Sequence, residues 1–251
     1  MLARLDAAVR PIAHSQDLAN EEAPNLGSIF RDKPLERLGA GSALFWEGDP
    51  ARHVFEVVEG VLRIFRVMGD GRRAITGFLY PGDLVGVSMR DRYLYNAEAV
   101  TTVRFRRHSS TAFQDAICHS PELRPLLFAR LCDEMAAAQD QMVLLSRKNA
   151  EERICSFLLT LARRLSGDGS PATHIELAMT RLDMADYLGL TIETVSRTMT
   201  ALAGRGVVRQ AGRHGVSLMR LDIIQRLAGD AQSTEEPERP SNVTRRAVWP
   251  S

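Results

Sequence analysis

The fold is decided by a short stretch near the C-terminus, Ala185-Asp186-Tyr187-Leu188-Gly189-Leu190-Thr191-Ile192-Glu193-Thr194-Val195. Three residues in it fall where two helices that cross at a steep angle require them. Ala185 lets the second helix approach, Gly189 permits a tight turn, and Val195 fills the space between the helices. This spacing is typical of a helix-turn-helix unit.

The neighbouring residues predict the limits of the unit. We expect helices over Arg181 to Leu188 and Ile192 to Gly204. Thr191 is a good N-cap for the second helix, and Glu193 suits the positive end of its dipole. Two valine-rich segments then flank the turn 212–215, which predicts a β-hairpin wing behind the helices.

The second helix of such a unit places its N-terminal residues against base edges in the major groove of DNA. Glu193, Ser196 and Arg197 occupy its exposed face. A carboxylate accepts from cytosine N4 and a guanidinium donates twice to guanine, so Glu193 and Arg197 suit a G·C pair. The alternative is a surface ion pair between these two residues, four positions apart, and both roles can hold together.

The C-terminal region is locally basic, although the whole chain carries a net charge of only +1. Positive side chains and hydroxyls beside a recognition helix contact DNA phosphates, which position the protein without specifying sequence. For the arginines, an ordinary solvated role is the alternative. The candidates for backbone contacts are Thr191, Thr194, Arg205, Arg209 and Arg213.

A long helix is predicted after Ser120-Pro121, followed by another from Glu151 to Leu165. In the long helix, apolar residues recur at alternating steps of three and four, as in the seam of a coiled coil. The seam packs either on the N-terminal part of the chain or against the same helix of a second subunit. Its members are Phe128, Leu131, Met135, Ala138, Met142 and Leu145.

The N-terminal half, from Gly39 to about Arg107, consists of short β-branched and aromatic runs separated by glycines. Asp70-Gly71 is a strong hairpin turn. These features predict an antiparallel jelly roll or β-barrel, and therefore an α+β chain with a C-terminal winged helix-turn-helix domain. The predicted segments are an extension (1–25), a sensor domain (26–120), a dimerisation helix (121–148), a DNA-binding domain (149–230) and a disordered tail (231–251).

The chain resembles the CRP/FNR superfamily of transcription regulators, and its helix-turn-helix is similar to that of the FixK-like branch. The resemblance covers Gly39 to Leu218. It implies a homodimer, with the long helix as interface, that binds a two-fold symmetric TTGA…TCAA site. By position, Glu193, Ser196 and Arg197 match the base-reading residues of that branch. The sensor motifs that carry it are Phe45–Asp49, Glu59-Gly60 and Tyr80–Asp83.

The ligand sets of related sensors are missing from this sequence. Cyclic-nucleotide receptors use a Gly-Glu start and an Arg-Ser pair, whereas here Asp83 follows Gly82 and the segment 93–98 has neither arginine nor serine. Arg90 and Arg92 would substitute only in a rearranged loop. The four thiolates of an FNR-type [4Fe–4S] cluster are excluded because no cysteine precedes Cys118. We therefore expect no cofactor.

Two alternatives stay open beside this regulator, which we expect to be an activator and a partner of RNA polymerase. In one, DNA binding depends on a small ligand or on haem held by His14 or His53. In the other, the chain is a cupin-like metal enzyme, although His53 and His108 are isolated. Cys118, Cys132 and Cys155 leave a redox switch open. Without an apolar run of about 18 residues or a signal peptide, we expect a cytoplasmic protein.

Overall fold

The structure, a computed structural model, describes residues 25–88, 90–166, 171–212 and 214–229. The predicted extension, apart from Asn25, and the predicted tail lie outside these residues, as does His14. Within the described ranges, no helix is long and apolar enough to cross a membrane.

The N-terminal part is built from two four-stranded antiparallel sheets. Sheet one has the order β1-β8-β3-β6 and sheet two the order β2-β7-β4-β5. Because consecutive strands alternate between the sheets at several points, the arrangement is a jelly roll. The strands, preceded by a 3-10 turn at Leu26–Phe30, are β1 (Leu35–Leu38), β2 (Ala43–Phe45), β3 (His53–Glu59), β4 (Leu62–Val67), β5 (Arg73–Leu79), β6 (Leu84–Val85), β7 (Asn96–Ala99) and β8 (Val103–Ser109).

The prediction of a jelly roll or β-barrel is confirmed in its first form, and the sheets do not close into a barrel. Both sheets are open, because each ends in edge strands that pair with one neighbour only. Two of these edges are very short, three residues in β2 and two in β6, which limits further pairing. The predicted Asp70-Gly71 turn joins β4 to β5, with Gly71 at a φ of 82°.

Aromatic side chains pack against one another in the interior of the jelly roll. The rings of Phe45 and Tyr93 stack with centroids 3.7 Å apart, and Phe55 lies 5.8 Å from Phe45 and 5.7 Å from Phe105. All four of these residues are buried. Stacked and edge-to-face aromatic contacts therefore hold the two sheets together.

The C-terminal half is mainly helical. The long helix ends at Arg147, and a capping box made by Asn149 and Glu152 starts the next helix. The elements are α1 (Ser110–His119), α2 (Leu123–Arg147), α3 (Ala150–Leu165), β9 (His174–Glu176), α4 (Arg181–Leu188), α5 (Ile192–Gly204), β10 (Val208–Ala211), β11 (Gly215–Leu218) and α6 (Leu221–Leu227). α1, inside the segment assigned to the sensor, was not predicted.

The apolar seam of α2 does not pack on the jelly roll. Phe128 is 70% exposed, Met142 63% and Met135 59%, and Leu131, Leu145 and Ala138 are exposed as well. Of the two alternatives for the seam, packing against the N-terminal part of the chain is therefore wrong. A contiguous stripe of exposed apolar side chains is unusual on the surface of a monomeric protein.

One buried carboxylate joins the jelly roll to both long helices. Asp83 has a side chain only 4% exposed, and its Oδ1 accepts a hydrogen bond of 2.6 Å from Arg130 of α2. Its Oδ2 accepts from Arg164 of α3 and from the backbone N–H of Tyr80. The Arg164 guanidinium also lies 4.9 Å from the centre of the Tyr80 ring.

The outer face of sheet two carries the helix-turn-helix. Arg63 of β4 donates to Asp183 at 2.8 Å, and Arg73 of β5 donates to Asp186 at 3.1 Å. Beside these ion pairs, Phe78 and Tyr187 have ring centroids 5.5 Å apart. One hydrophobic core therefore runs from this sheet into α3, α4 and α5.

Replacing Asp83 with alanine tests the buried link. The change leaves Arg130 and Arg164 without the carboxylate that pairs with them. Because their side chains are 34% and 41% exposed, water offsets part of the lost stability. We expect a loss of about 1–3 kcal/mol in the free energy of unfolding, measured with urea. Arg104→Ala, which removes an exposed ion pair with Glu59, is the control, with an expected loss of about 0–0.5 kcal/mol. Equal losses in both variants would contradict this account of Asp83.

Candidate nucleic-acid interface

Local hydrogen bonds determine where the two helices of the helix-turn-helix begin and end. Thr180 and Asp183 form a capping box at the start of α4. Gly189 follows α4 in the left-handed conformation, with φ 61° and ψ 42°, as the predicted tight turn requires. The Thr191 hydroxyl then accepts from the Thr194 backbone N–H at 3.2 Å and caps α5. The predicted bounds of both helices are confirmed.

α5 has one buried and one exposed face. Val195, Met199 and Leu202 point into the core, with Val195 and Leu202 fully buried. The three predicted base-reading residues, Glu193, Ser196 and Arg197, are all exposed. Because they are three and four positions apart, they share one helical turn next to the N-terminus. The structure thus brings these three side chains together on one open surface.

The Glu193 carboxyl is held in its charged form. Hydrogen bonds from its own backbone N–H and from the Thr191 hydroxyl lower its pKa, and the positive charge of Arg197 adds a smaller effect. A carboxylate with a lowered pKa accepts hydrogen bonds at neutral pH. The helix therefore presents an acceptor and a cation one turn apart.

The predicted backbone-contact residues are spread more widely. Thr191 and Thr194 lie together at the start of α5, with hydroxyl oxygens 3.1 Å apart, and Arg209 is exposed on β10. Arg205 lies at the other end of α5, about 20 Å from its start, and forms an ion pair with Glu151 of α3. Arg213, in the turn of the wing, lies outside the described residues.

Sequence reasoning missed side chains in a groove between α5 and the wing. A cavity of about 330 Å³ there is lined by Arg181, Ser196, Thr200 and Gln210, among others. Burial lowers the pKa of Arg181, whose guanidinium contacts the Met184 sulfur at 3.2 Å. Thr200 lies four residues after Ser196, so the helical period alone would have placed both side chains on the same face of α5. Only the fold brings Arg181 and Gln210 to this groove.

The jelly roll offers one further concave surface. A cavity of about 490 Å³ is lined by His53, Arg52, Arg107, Phe45 and Tyr93, among others. Burial, followed by the nearby charge of Arg107, lowers the pKa of His53. Across the described ranges, no three His, Cys, Asp or Glu side chains are grouped to hold a metal ion.

The cysteines differ in their surroundings. Cys118 is exposed, Cys132 is partly buried and Cys155 is buried. Burial raises the pKa of the Cys155 thiol to about 11, so this residue stays protonated at neutral pH and is a poor nucleophile.

Two family models match this chain. A Crp-like helix-turn-helix domain matches residues 152–227, and a cyclic nucleotide-binding domain matches residues 35–119. The second match covers the jelly roll and α1, and the first covers the helix-turn-helix and its wing.

Several characterised proteins are similar over most of the chain. The nitrogen fixation regulation protein FixK of Azorhizobium caulinodans is 44% identical over 74% of this chain and 75% of its own length. FixK of Bradyrhizobium diazoefficiens is 36% identical, covering 89% and 92%. The transcriptional activator protein FnrL of Cereibacter sphaeroides is 35% identical, covering 88% and 90%.

A solved structure shares both the fold and the sequence similarity. FixK2 from Bradyrhizobium japonicum superposes with a TM-score of 0.73 at 32% identity, over 78% of this chain and 96% of that one. The matched domains, the order of the elements and these relatives agree. The chain belongs to the CRP/FNR family of transcription regulators, with FixK proteins among its relatives.

Proposed function

We propose that this protein is a transcription activator that binds, as a homodimer, a palindromic DNA site of the TTGA…TCAA type without cAMP, haem or an iron–sulfur cluster. The exposed turn of α5 with Glu193, Ser196 and Arg197 is the observation that carries the proposal. Its working parts are the sensor domain (26–120), the dimerisation helix (121–148) and the DNA-binding domain (149–230).

Base recognition follows from the chemistry of that turn. The ionised Glu193 accepts from cytosine N4, and Arg197 donates to O6 and N7 of guanine in the same base pair. Ser196 lies between them on the exposed face and adds a short hydroxyl donor or acceptor.

Contacts to the DNA backbone position this turn. Thr191 and Thr194 lie at the start of α5, Arg209 is exposed on β10 of the wing, and Arg181 lines the groove between α5 and the wing. Arg205 and Arg213 complete the proposed set. Because Arg205 lies far from the start of α5, we expect it to contact a phosphate at the margin of the site.

Dimerisation is supported by the exposed seam of α2. The helix has 25 residues and is about 38 Å long, and its seam residues share one stripe. Pairing two copies of this stripe buries it. A two-fold axis between the α2 helices also gives two recognition helices related by symmetry, which match a palindromic operator.

Independence from a ligand is supported by the interior of the jelly roll. Aromatic rings pack against one another there, and the Asp83 carboxylate is engaged by two arginines of the chain. Arg92 donates to the Gly48 carbonyl at 2.6 Å rather than standing free for a phosphate. The second candidate, a regulator that needs a ligand or haem, is favoured by the cavity beside His53.

The activator role is supported by the names of relatives, one of which is a transcriptional activator protein. Activation requires a contact with RNA polymerase, which we propose as a partner. Transcription in vitro from a promoter with the operator, with and without the protein, tests this role, and a lower yield with the protein would contradict it.

Replacing Arg197 with alanine tests base reading. We expect affinity for the TTGA…TCAA duplex to fall by about 1–3 kcal/mol while affinity for unrelated DNA changes little. Fluorescence anisotropy at fixed salt measures both. Arg226→Ala, which removes the same charge from α6, should leave the difference between the two duplexes intact. An equal loss on both duplexes for Arg197→Ala would refute its role as a base reader.

Introducing glutamate at Met135 or Met142 tests the dimer. Two like charges would then face each other in the seam, and we expect sedimentation to show mainly monomer at micromolar concentration. Ala137→Glu adds the same charge outside the stripe and should remain dimeric. A dimer that survives both methionine substitutions would place the interface elsewhere.

Ligand independence is tested with protein purified in air and dialysed. We expect it to select TTGA…TCAA sites from a random duplex pool without any addition, and to show no Soret absorbance. Selection only after a nucleotide or haem is added would favour the second candidate instead.

A further inference from the structure

We propose that Arg153 and Gln141 are positioning residues for DNA binding, because they tie the turn of the helix-turn-helix to the end of the dimerisation helix. The inference rests on the proposed function. In this proposal, the two side chains fix the orientation of each recognition helix relative to the dimerisation helix.

The C-terminal end of α4 supplies the acceptors. The last carbonyls of a helix lack partners within the helix and need donors from elsewhere. Gln141 of α2 donates its amide to the Tyr187 carbonyl at 2.9 Å. Arg153 of α3 donates to the Leu188 carbonyl at 2.8 Å and to the Gly189 carbonyl at 3.3 Å. Three successive carbonyls are thus held by side chains of other helices.

The same guanidinium also reaches the end of α2. Arg153 donates through Nη2 to the Leu145 carbonyl at 2.9 Å and through Nε to the Lys148 carbonyl at 2.8 Å. Its planar group therefore bridges the C-terminal ends of two helices, where a cation is also favoured by both dipoles. A Cβ placed on Gly189 would lie 3.3 Å from a methyl carbon of Leu145, so the turn and α2 are in close contact.

These contacts lie directly before the recognition helix. Only Leu190 separates the clamped carbonyls from Thr191, the N-cap of α5. The exposed face of α5 is not covered in this arrangement, so the contacts orient the base readers without blocking them. In a dimer whose axis runs along α2, they set the distance and angle between the two recognition helices.

The spacing between half-sites reports on this geometry. Symmetric helix-turn-helix dimers bind half-sites about 34 Å apart, and each added base pair moves one half-site by about 3.4 Å and rotates it around the duplex. A firmly held turn makes the protein discriminate between spacers. A loosened turn lets the recognition helices adapt, so discrimination falls although each half-site is read as before.

The experiment compares palindromic duplexes at the best-bound spacing with duplexes one or two base pairs longer. Arg153→Met keeps most of the side-chain length but removes four hydrogen bonds. We expect the ratio of affinities between the best and the lengthened duplexes to fall about tenfold. Affinity for a duplex with one half-site and the sedimentation coefficient should stay as in the wild type, which a purely structural defect would not allow.

Three further variants sharpen the result. Arg147→Met removes the same charge from an exposed site in the last turn of α2 and should keep the wild-type ratio. Arg153→Lys retains the charge and some donors and should restore part of the ratio. Gln141→Met removes one hydrogen bond and should lower the ratio about threefold, which decides the matter if Arg153→Met does not fold.

The outcomes separate this inference from the proposed function. Wild-type discrimination in folded Arg153→Met, or in Gln141→Met if the arginine variant is unfolded, overturns the positioning role and leaves the proposed function intact. Failure of the wild-type protein to bind any palindrome overturns both.

Discussion

The arrangement of the jelly roll and the long helices depends on the hydrogen bonds and ion pairs of one buried carboxylate, that of Asp83. Removing a carboxylate from water is costly unless cations and donors replace the lost hydration. Here the replacements come from two helices, through Arg130 and Arg164, and from the backbone of Tyr80. Because one carboxylate needs all three partners, it fixes the positions of the jelly roll, the long helix and the first helix of the DNA-binding domain relative to one another.

The DNA-binding domain is attached on two sides. The ion pairs of Arg63 and Arg73 with Asp183 and Asp186 join it to the outer face of sheet two. On the other side, Gln141 of α2 donates to the Tyr187 carbonyl, and Arg153 of α3 donates to the Leu145 carbonyl near the end of α2. Between these attachments, the exposed turn of α5 stays open. These polar contacts therefore fix the orientation of the domain and leave the exposed turn of α5 open for the base reading that we propose.

Several features were predictable because they rest on local chemistry. The end of α4 and the start of α5 follow from Gly189, whose left-handed backbone disfavours other residues, and from the cap Thr191. The exposed triad follows from the 3.6-residue period once Val195 is known to be buried. Which of the two predicted forms, jelly roll or closed barrel, the sheets adopt was not predictable, because pairing at strand edges depends on strand length, which alternation of apolar residues does not reveal.

The sequence by itself determined the family, the succession of jelly roll, long helix and winged helix-turn-helix, and the three side chains that face outward from α5, because caps, turns and periodicity act over a few neighbouring residues. Only the tertiary structure decided that the α2 seam is free of the jelly roll, that Arg205 pairs with Glu151, and that Arg181 lines the groove by the wing. It also decided the partners of Asp83 and Arg153. Those contacts join residues far apart in the chain, and no local pattern encodes which distant donor meets which acceptor.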